Sequence, residues 1–296
     1  MPVENKILFY LSSSKQFATT VARETNIPLG EVEIKYFSDG ELIVRILSNV
    51  KDKIVIVVQS TGKPSSQTLF ELELFADAAK NAGAKKVIAC LPYYGYSRQD
   101  RISYDGEPIS AKVVAKVFEA VGVDEVITID LHTEEVEKYF SIPIVNLKPF
   151  EIYANYFKDR INSKNLVVIT PDHGSDDRAI AFGKYFPGCS VGFFTKHRPS
   201  PNCSEVLSFT GDVEGKTCII IDDIIDTCGT VNNAIKVLTN KKAKEIFVIG
   251  THAVFSSDSK VIGAKEVVVS DTIEKGVKGV RVVSVTKLLS DELKKR

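Results

Sequence analysis

The run Ile219-Ile220-Ile221-Asp222-Asp223-Ile224-Ile225-Asp226-Thr227-Cys228-Gly229-Thr230 combines residue types that can hold a sugar phosphate. Its apolar start predicts a buried strand that ends in two adjacent carboxylates. Carboxylates accept hydrogen bonds from ribose hydroxyls. The short hydroxyl- and glycine-bearing loop behind them offers backbone N–H groups to a phosphate. Val231, Ala234, Ile235 and Leu238 then form one helical stripe, so a helix follows and points its positive end at the same anion. The two acids would repel a phosphate unless sugar hydroxyls or a metal stand between them. The plain alternative is a tight strand-to-helix turn with solvated acids.

A second stretch with chemical potential is Pro92-Tyr93-Tyr94-Gly95-Tyr96-Ser97-Arg98-Gln99-Asp100-Arg101, which follows an apolar run. Arginine forks match phosphate oxygens, and their planes stack on aromatic faces. A solvated charged loop is the competing reading. Phe37-Ser38-Asp39-Gly40-Glu41 follows an alternating run and reads as a hairpin turn, with Asp-Gly supplying positive φ. Thr195-Lys196-His197-Arg198-Pro199, taken alone, is a basic hairpin tip. Among the histidines, His132, His173 and His197 fall in such segments, whereas His252 reads as a satisfied core or surface residue.

The elements that must position these residues are short β-branched runs alternating with helical patterns, an α/β arrangement with mainly parallel sheets. Strands are predicted at Lys6–Leu11, Ile54–Val58, Val87–Leu91, Val126–Ile129, Leu166–Thr170, Thr217–Asp222, Ile246–Gly250 and Val267–Ser270. One helical stripe has Leu69, Leu72, Ala76 and Ala79 and ends near Gly83. Another has Val113, Val114, Val117, Phe118 and Val121 and ends at Gly122. Ile7–Ala22 lays over Leu166–Ala181, and Val55–Val58 over Cys218–Ile221, each followed by a helix, a basic turn and an apolar strand. Two similar domains, 1–146 and 147–296, account for this repeat, although open α/β domains share much of it generically. Only the second half has the acid pair. Open sheets bind ligands beyond the carboxyl ends of their strands, where Asp222 and Asp172 both fall.

Composition narrows the partners. The formal net charge is zero, so there is no global basic field for nucleic acid and no polybasic tail for a membrane. Five scattered cysteines without a C-x-x-C pair argue against a disulfide framework and a zinc site. The start Met1–Lys6 has no signal-peptide pattern and no apolar run reaches membrane-spanning length, so a cytoplasmic location is the expectation.

The segment Asp222–Thr230 resembles the phosphoribosyl-diphosphate (PRPP) signature shared by phosphoribosyltransferases and PRPP synthetases. With Phe-Ser-Asp-Gly-Glu at 37–41, Arg-Gln-Asp-Arg at 98–101 and Asp-Leu-His at 130–132 in the same order, the chain resembles the PRPP synthetases (ribose-phosphate diphosphokinases) from about Lys6 to about Leu289. The resemblance implies two similar phosphoribosyltransferase-type, Rossmann-like domains. It also implies transfer of diphosphate from ATP to ribose 5-phosphate with Mg²⁺. By the same resemblance, Phe37, Asp39 and Glu41 meet adenine, and Arg98, Gln99, Arg101 and His132 bind ATP. His132 and Asp172 serve the metal. Lys196 and Arg198 act on the transferring group. Asp222, Asp223, Asp226, Thr227, Cys228, Gly229 and Thr230 hold ribose 5-phosphate. The family further implies an obligate homo-oligomer built from dimers, in which a neighbour's Phe37–Glu41 turn forms part of the adenine site, with a hexamer among the candidate sizes. A PRPP-consuming phosphoribosyltransferase and a non-catalytic regulatory subunit are the rival readings. The first leaves the segments at 37 and 98 without a task; the joint presence of Lys196, Arg198, Asp172 and His132 opposes the second.

The chain departs from the family pattern in places. Ile102 stands where many relatives have lysine, and Cys228 where glycine or alanine is frequent. Cys228 is expected to donate its N–H from a negative φ, with a lowered thiol pKa beside a phosphate. Asp176 and Asp177 are candidates to cap the next helix.

Overall fold

The computed structural model describes residues 5–171, 176–197, 206–256, 259–274 and 276–296, with the backbone alone at 196–197 and 206–207. Valine- and isoleucine-rich runs become buried parallel strands, because a sheet covered on both faces needs apolar residues at successive positions. In the first unit β1 (Lys6–Tyr10), α1 (Lys15–Thr25), β2 (Val32–Tyr36), β3 (Leu42–Ile46) and β4 (Ile54–Val58) come first. They are followed by α2 (Ser65–Asn81), β5 (Lys86–Leu91), α3 (Ser110–Ala120), β6 (Glu125–Ile129) and β7 (Ile144–Leu147). The sheet order is β1-β4-β5-β6-β7, and every neighbour is parallel. β2 and β3 form a separate antiparallel hairpin. Its Val32, Ile34, Val44 and Ile46 pack against the core that α2 fills with Leu69, Leu72, Phe75 and Ala76.

The second unit contains α4 (Phe150–Phe157), β8 (Leu166–Ile169), α5 (Asp176–Gly183), β9 (Ser190–His197) and β10 (Val206–Thr210). Then come β11 (Thr217–Ile225), α6 (Gly229–Asn240), β12 (Glu245–Ala253), β13 (Glu266–Ser270) and β14 (Arg281–Val283). The order is β10-β9-β8-β11-β12-β13-β14, antiparallel only between β9 and β10. With β9 and β10 set aside, β8-β11-β12-β13-β14 repeats β1-β4-β5-β6-β7 in connection order and direction. Two similar α/β units are therefore present, and the sequence overlays of Ile7 on Leu166 and Val55 on Cys218 match strands at equivalent places.

The units are not contiguous. Contacts group Met1–Lys148 with Asp271–Glu274 and Ser284–Arg296, and Pro149–Ser270 with Lys275–Val283. The division at 146/147 thus differs from the observed grouping mainly at α7 (Thr286–Lys294), which returns to the first unit. There Leu289 and Leu293 are buried, and the Ser290 hydroxyl donates to Glu24 at 2.6 Å. Arg296 Nε donates to buried Glu125 at 2.7 Å, and Lys86 Nζ lies 2.5 Å from the same carboxylate.

The helix predictions at 69–79 and 231–238 hold, whereas Val113 of α3 is about half exposed and Ala111 and Ala115 take its place in the core. Among the described residues no helix is long and apolar enough to cross a membrane.

Candidate active site

β11 pairs with β8 only from Thr217 to Ile220, but with β12 from Thr217 to Ile225. The β11–β12 ladder therefore runs past the carboxyl end of β8, and Asp222 and Asp223 stand on this extension. Gly250 opposes Asp222, and an added Cβ there would lie 2.4 Å from Ile225 Cγ1. Only glycine allows the two strands to stay together at this level.

Alternation along the strand divides the acids. Cys218 and Ile220 face the core beneath α6; Ile219 and Ile221 face the core beneath α4 and α5. Asp222 continues the first face and Asp223 the second. On that second side Arg178 of α5 brings Nη2 to 3.8 Å from Asp223 Oδ1, with both side chains nearly buried. The Arg178 guanidinium also lies 5.9 Å from the centre of the Phe150 ring. The Asp223 N–H donates to Asp222 Oδ1 at 2.9 Å. Burial, and next the Asp223 carboxylate, push Asp222 well above its ordinary 3.8; Arg178 offsets part of this. Each carboxyl oxygen accepts hydrogen bonds, and a carboxyl that keeps its proton also donates one. That combination matches a pair of adjacent hydroxyls, each of which can do both. Arg178 was not singled out from the sequence; the signal available was an arginine two residues into an acidic helix start.

After Ile225 the chain turns into α6. Asp226 Oδ1 accepts the Ser256 N–H at 3.0 Å. Thr227 and Gly229 are exposed, and Thr230 is half-buried. Cys228 is the residue before α6, with φ +63° and a buried thiol. The expected negative φ is overturned: turning from strand into helix within three residues requires a left-handed residue here. The Cys228 side chain joins Val231 and Ile235 in the core, and this burial offsets the backbone cost. The expected lowered thiol pKa is overturned as well, because burial, then nearby Asp226, raises it. The first N–H groups of α6 have no intrahelical acceptor, so the loop retains the donors an anion needs.

In the first unit the residues at 37–41 form the predicted turn between β2 and β3. Phe37 N–H donates to Glu41 O at 2.8 Å, Glu41 N–H donates to Asp39 Oδ1 at 3.0 Å, and Gly40 has φ +92°. Asp39 thus shapes the turn, and the Phe37 ring is 55% exposed at its start.

After β5, Tyr93 and Tyr94 are buried, and Tyr94 donates to Ala111 O at 3.0 Å. Arg98, Gln99 and Arg101 are exposed. Gln99 Oε1 accepts the Ser110 hydroxyl at 2.6 Å. Buried Asp100 accepts the Thr133 hydroxyl at 2.6 Å, and Tyr139 donates to its backbone oxygen. These bonds join the arginine loop after β5 to the loop after β6 that carries His132. Fully buried Asp130, at φ +50°, turns that loop, and Lys148 Nζ lies 3.3 Å from its carboxylate. Asp100 and Asp130 hold these two loops without having been assigned a role from the sequence. His252 lies buried in β12, as read from the sequence.

Asp172, His173 and Arg198 lie outside the described residues. Lys196 is in β9, where its backbone pairs with Leu207 of β10. Among the described residues no three His, Cys, Asp or Glu side chains gather as a metal site.

Comparison with known proteins bears on the family and the fold. A profile described as the N-terminal domain of ribose phosphate pyrophosphokinase matches residues 6–122, and one described as the phosphoribosyl synthetase-associated domain matches 192–295. Ribose-phosphate pyrophosphokinase of Fusobacterium nucleatum is 37% identical over 98% of this chain and 94% of its own length. Ribose-phosphate pyrophosphokinase 1 of Streptococcus pneumoniae is 39% identical over 97% of this chain and 92% of its own. The crystal structure of phosphoribosylpyrophosphate synthetase from Mycobacterium smegmatis superposes with a TM-score of 0.91 at 31% identity, covering 98% of this chain and 97% of that one. The chain therefore belongs to the ribose-phosphate pyrophosphokinase family and is an enzyme of that type.

Proposed function

We propose that the enzyme transfers the terminal diphosphate of ATP to the C1 hydroxyl of ribose 5-phosphate, giving PRPP and AMP for nucleotide biosynthesis. The observation that supports this best is the β11 extension, where an acid pair suited to ribose hydroxyls leads directly into a donor-rich loop before α6. Asp222 and Asp223 take the hydroxyls, and the loop from Asp226 to Thr230 takes the 5-phosphate.

In the reaction the C1 oxygen attacks the β-phosphorus and loses its proton. The bond from that phosphorus to the bridging oxygen breaks, and AMP leaves with that oxygen. Transfers of this kind ask chiefly for alignment and charge neutralisation. Phe37, Asp39 and Glu41 meet the adenine, while exposed Arg98 and Arg101, with Gln99, present hydrogen-bond donors to the nucleotide phosphates. Lys196 and Arg198 stabilise charge moving onto AMP.

Asp172, outside the described residues, would offer Mg²⁺ the hard oxygen this ion prefers, and half-buried His132 would act through water or on a phosphate oxygen. Bound Mg²⁺ supplies neutralisation of the phosphate charge. The enzyme is read as a cytoplasmic homo-oligomer, dimer-based, with functional halves 1–146 and 147–296 bearing the ATP side and the ribose side.

AMP release from ATP by the purified chain, with and without ribose 5-phosphate, tests the reaction. AMP should form only when the sugar is present, and Lys196→Ala should lower turnover on the order of 10³-fold. Unchanged turnover in the variant removes Lys196 from its role. No AMP at all supports the non-catalytic subunit instead.

A further inference from the structure

Glu71 of α2 is fully buried, and the donors around it are hydroxyls and amides. Its two oxygens serve different parts of the first unit. Oε2 accepts the Ser12 hydroxyl at 2.5 Å, the Ser12 N–H at 3.3 Å and Gln59 Nε2 at 2.9 Å. Ser12 follows β1 and Gln59 follows β4, so this oxygen is fixed to the carboxyl edge of the sheet. Gln59 is held in turn, accepting the Ser13 hydroxyl at 2.8 Å. Oε1 accepts the Tyr36 hydroxyl at 3.0 Å, and Gln67 Nε2 reaches both that carboxylate oxygen and the Tyr36 hydroxyl. Tyr36 is the last residue of β2, and Phe37 begins the turn. Alternation sends their side chains to opposite faces, so the anchor and the exposed ring are one residue apart and back to back. Apolar packing of Val32, Ile34, Val44 and Ile46 holds the body of the hairpin, and the Tyr36–Glu71 bond ties its outer end to α2.

We propose that Glu71 is a positioning residue for the nucleotide: through Tyr36 it sets where the Phe37–Glu41 turn stands relative to the carboxyl edge of the first sheet. This rests on the reading that the turn meets the adenine of ATP. Glu71 is a full carboxylate rather than an amide because two oxygens must accept from five donor groups at once.

Steady-state kinetics of the full-length enzyme with Tyr36→Phe, Glu71→Gln and Phe37→Ala tests the inference. Losing a hydrogen bond to a carboxylate should raise KM for ATP in Tyr36→Phe by roughly five- to tenfold. KM for ribose 5-phosphate and kcat should stay within about twofold of the parent, since only nucleotide placement changes. Amides 37–41 should exchange hydrogen faster in the same variant. Glu71→Gln keeps one acceptor oxygen and should fall between the parent and Tyr36→Phe. If Phe37→Ala raises KM for ATP while Tyr36→Phe changes neither KM nor exchange, the inference is wrong and the reading of the turn stands. If Phe37→Ala leaves KM for ATP unchanged, the reading of the turn fails and takes the inference with it. Equal losses in kcat and in both KM values for Tyr36→Phe would show a merely structural contact and overturn the proposal.

Discussion

Arg178 and Asp223 form a nearly buried ion pair beside the acid pair at the end of β11. Such pairs add little over an apolar replacement of both partners, but removing one leaves the other charged in a poor solvent. Arg178→Met should therefore lower unfolding free energy by about 3–5 kcal/mol, read from the urea midpoint. An unmoved midpoint would mean that Asp223 finds compensation elsewhere. Asp222 carries a different burden. Its folded pKa lies above its ordinary 3.8, so the stabilisation from binding that proton is complete below about pH 3.8 and drains away as pH rises through the folded value. Asp222→Asn mimics the protonated acid. Its stability advantage over the parent should widen between about pH 4, near the unfolded value, and about pH 8 in the ligand-free protein. An advantage that is the same at both would show that Asp222 gives up its proton normally.

The acid pair stands on the overhanging end of the β11–β12 ladder. Gly250→Ala forces a methyl against Ile225 and should cost about 1–3 kcal/mol in thermal stability, together with weaker ribose 5-phosphate binding by calorimetry. Full retention of binding would show that the acid pair does not depend on this close approach. The strand leading to the acids, the α6 stripe and the turn at 37–41 are legible in sequence because local pattern decides them. β7, β10 and β14 are not, since such short sheet-edge strands take their identity from a neighbour. Arg178 is illegible for the same reason: its partner lies on another element, and only the order β8-β11 brings the two together. The φ of Cys228 is a third case, set by how quickly the strand must become a helix rather than by any preference of cysteine.

At the scale of the whole molecule, one chain presents the same strand order twice, with the acid pair in only one copy. The repeat was visible in the sequence over two strand–helix units, whereas the return of α7 was not, because nothing local marks which sheet a terminal helix will cover. A chain ending at Val283 should lose stability in the first unit, roughly 3–6 kcal/mol from two buried leucines alone. Hydrogen exchange in β1 and α1 should speed up accordingly; unchanged protection there would show that α7 is dispensable. The early half also has a timing problem. A ribosome releases β1 to β7 and then needs roughly 10–30 s to deliver the segment that covers Glu24 and Glu125. During that interval the nascent half has an open apolar face, so a chaperone that binds such faces has its best opportunity on this protein before translation ends.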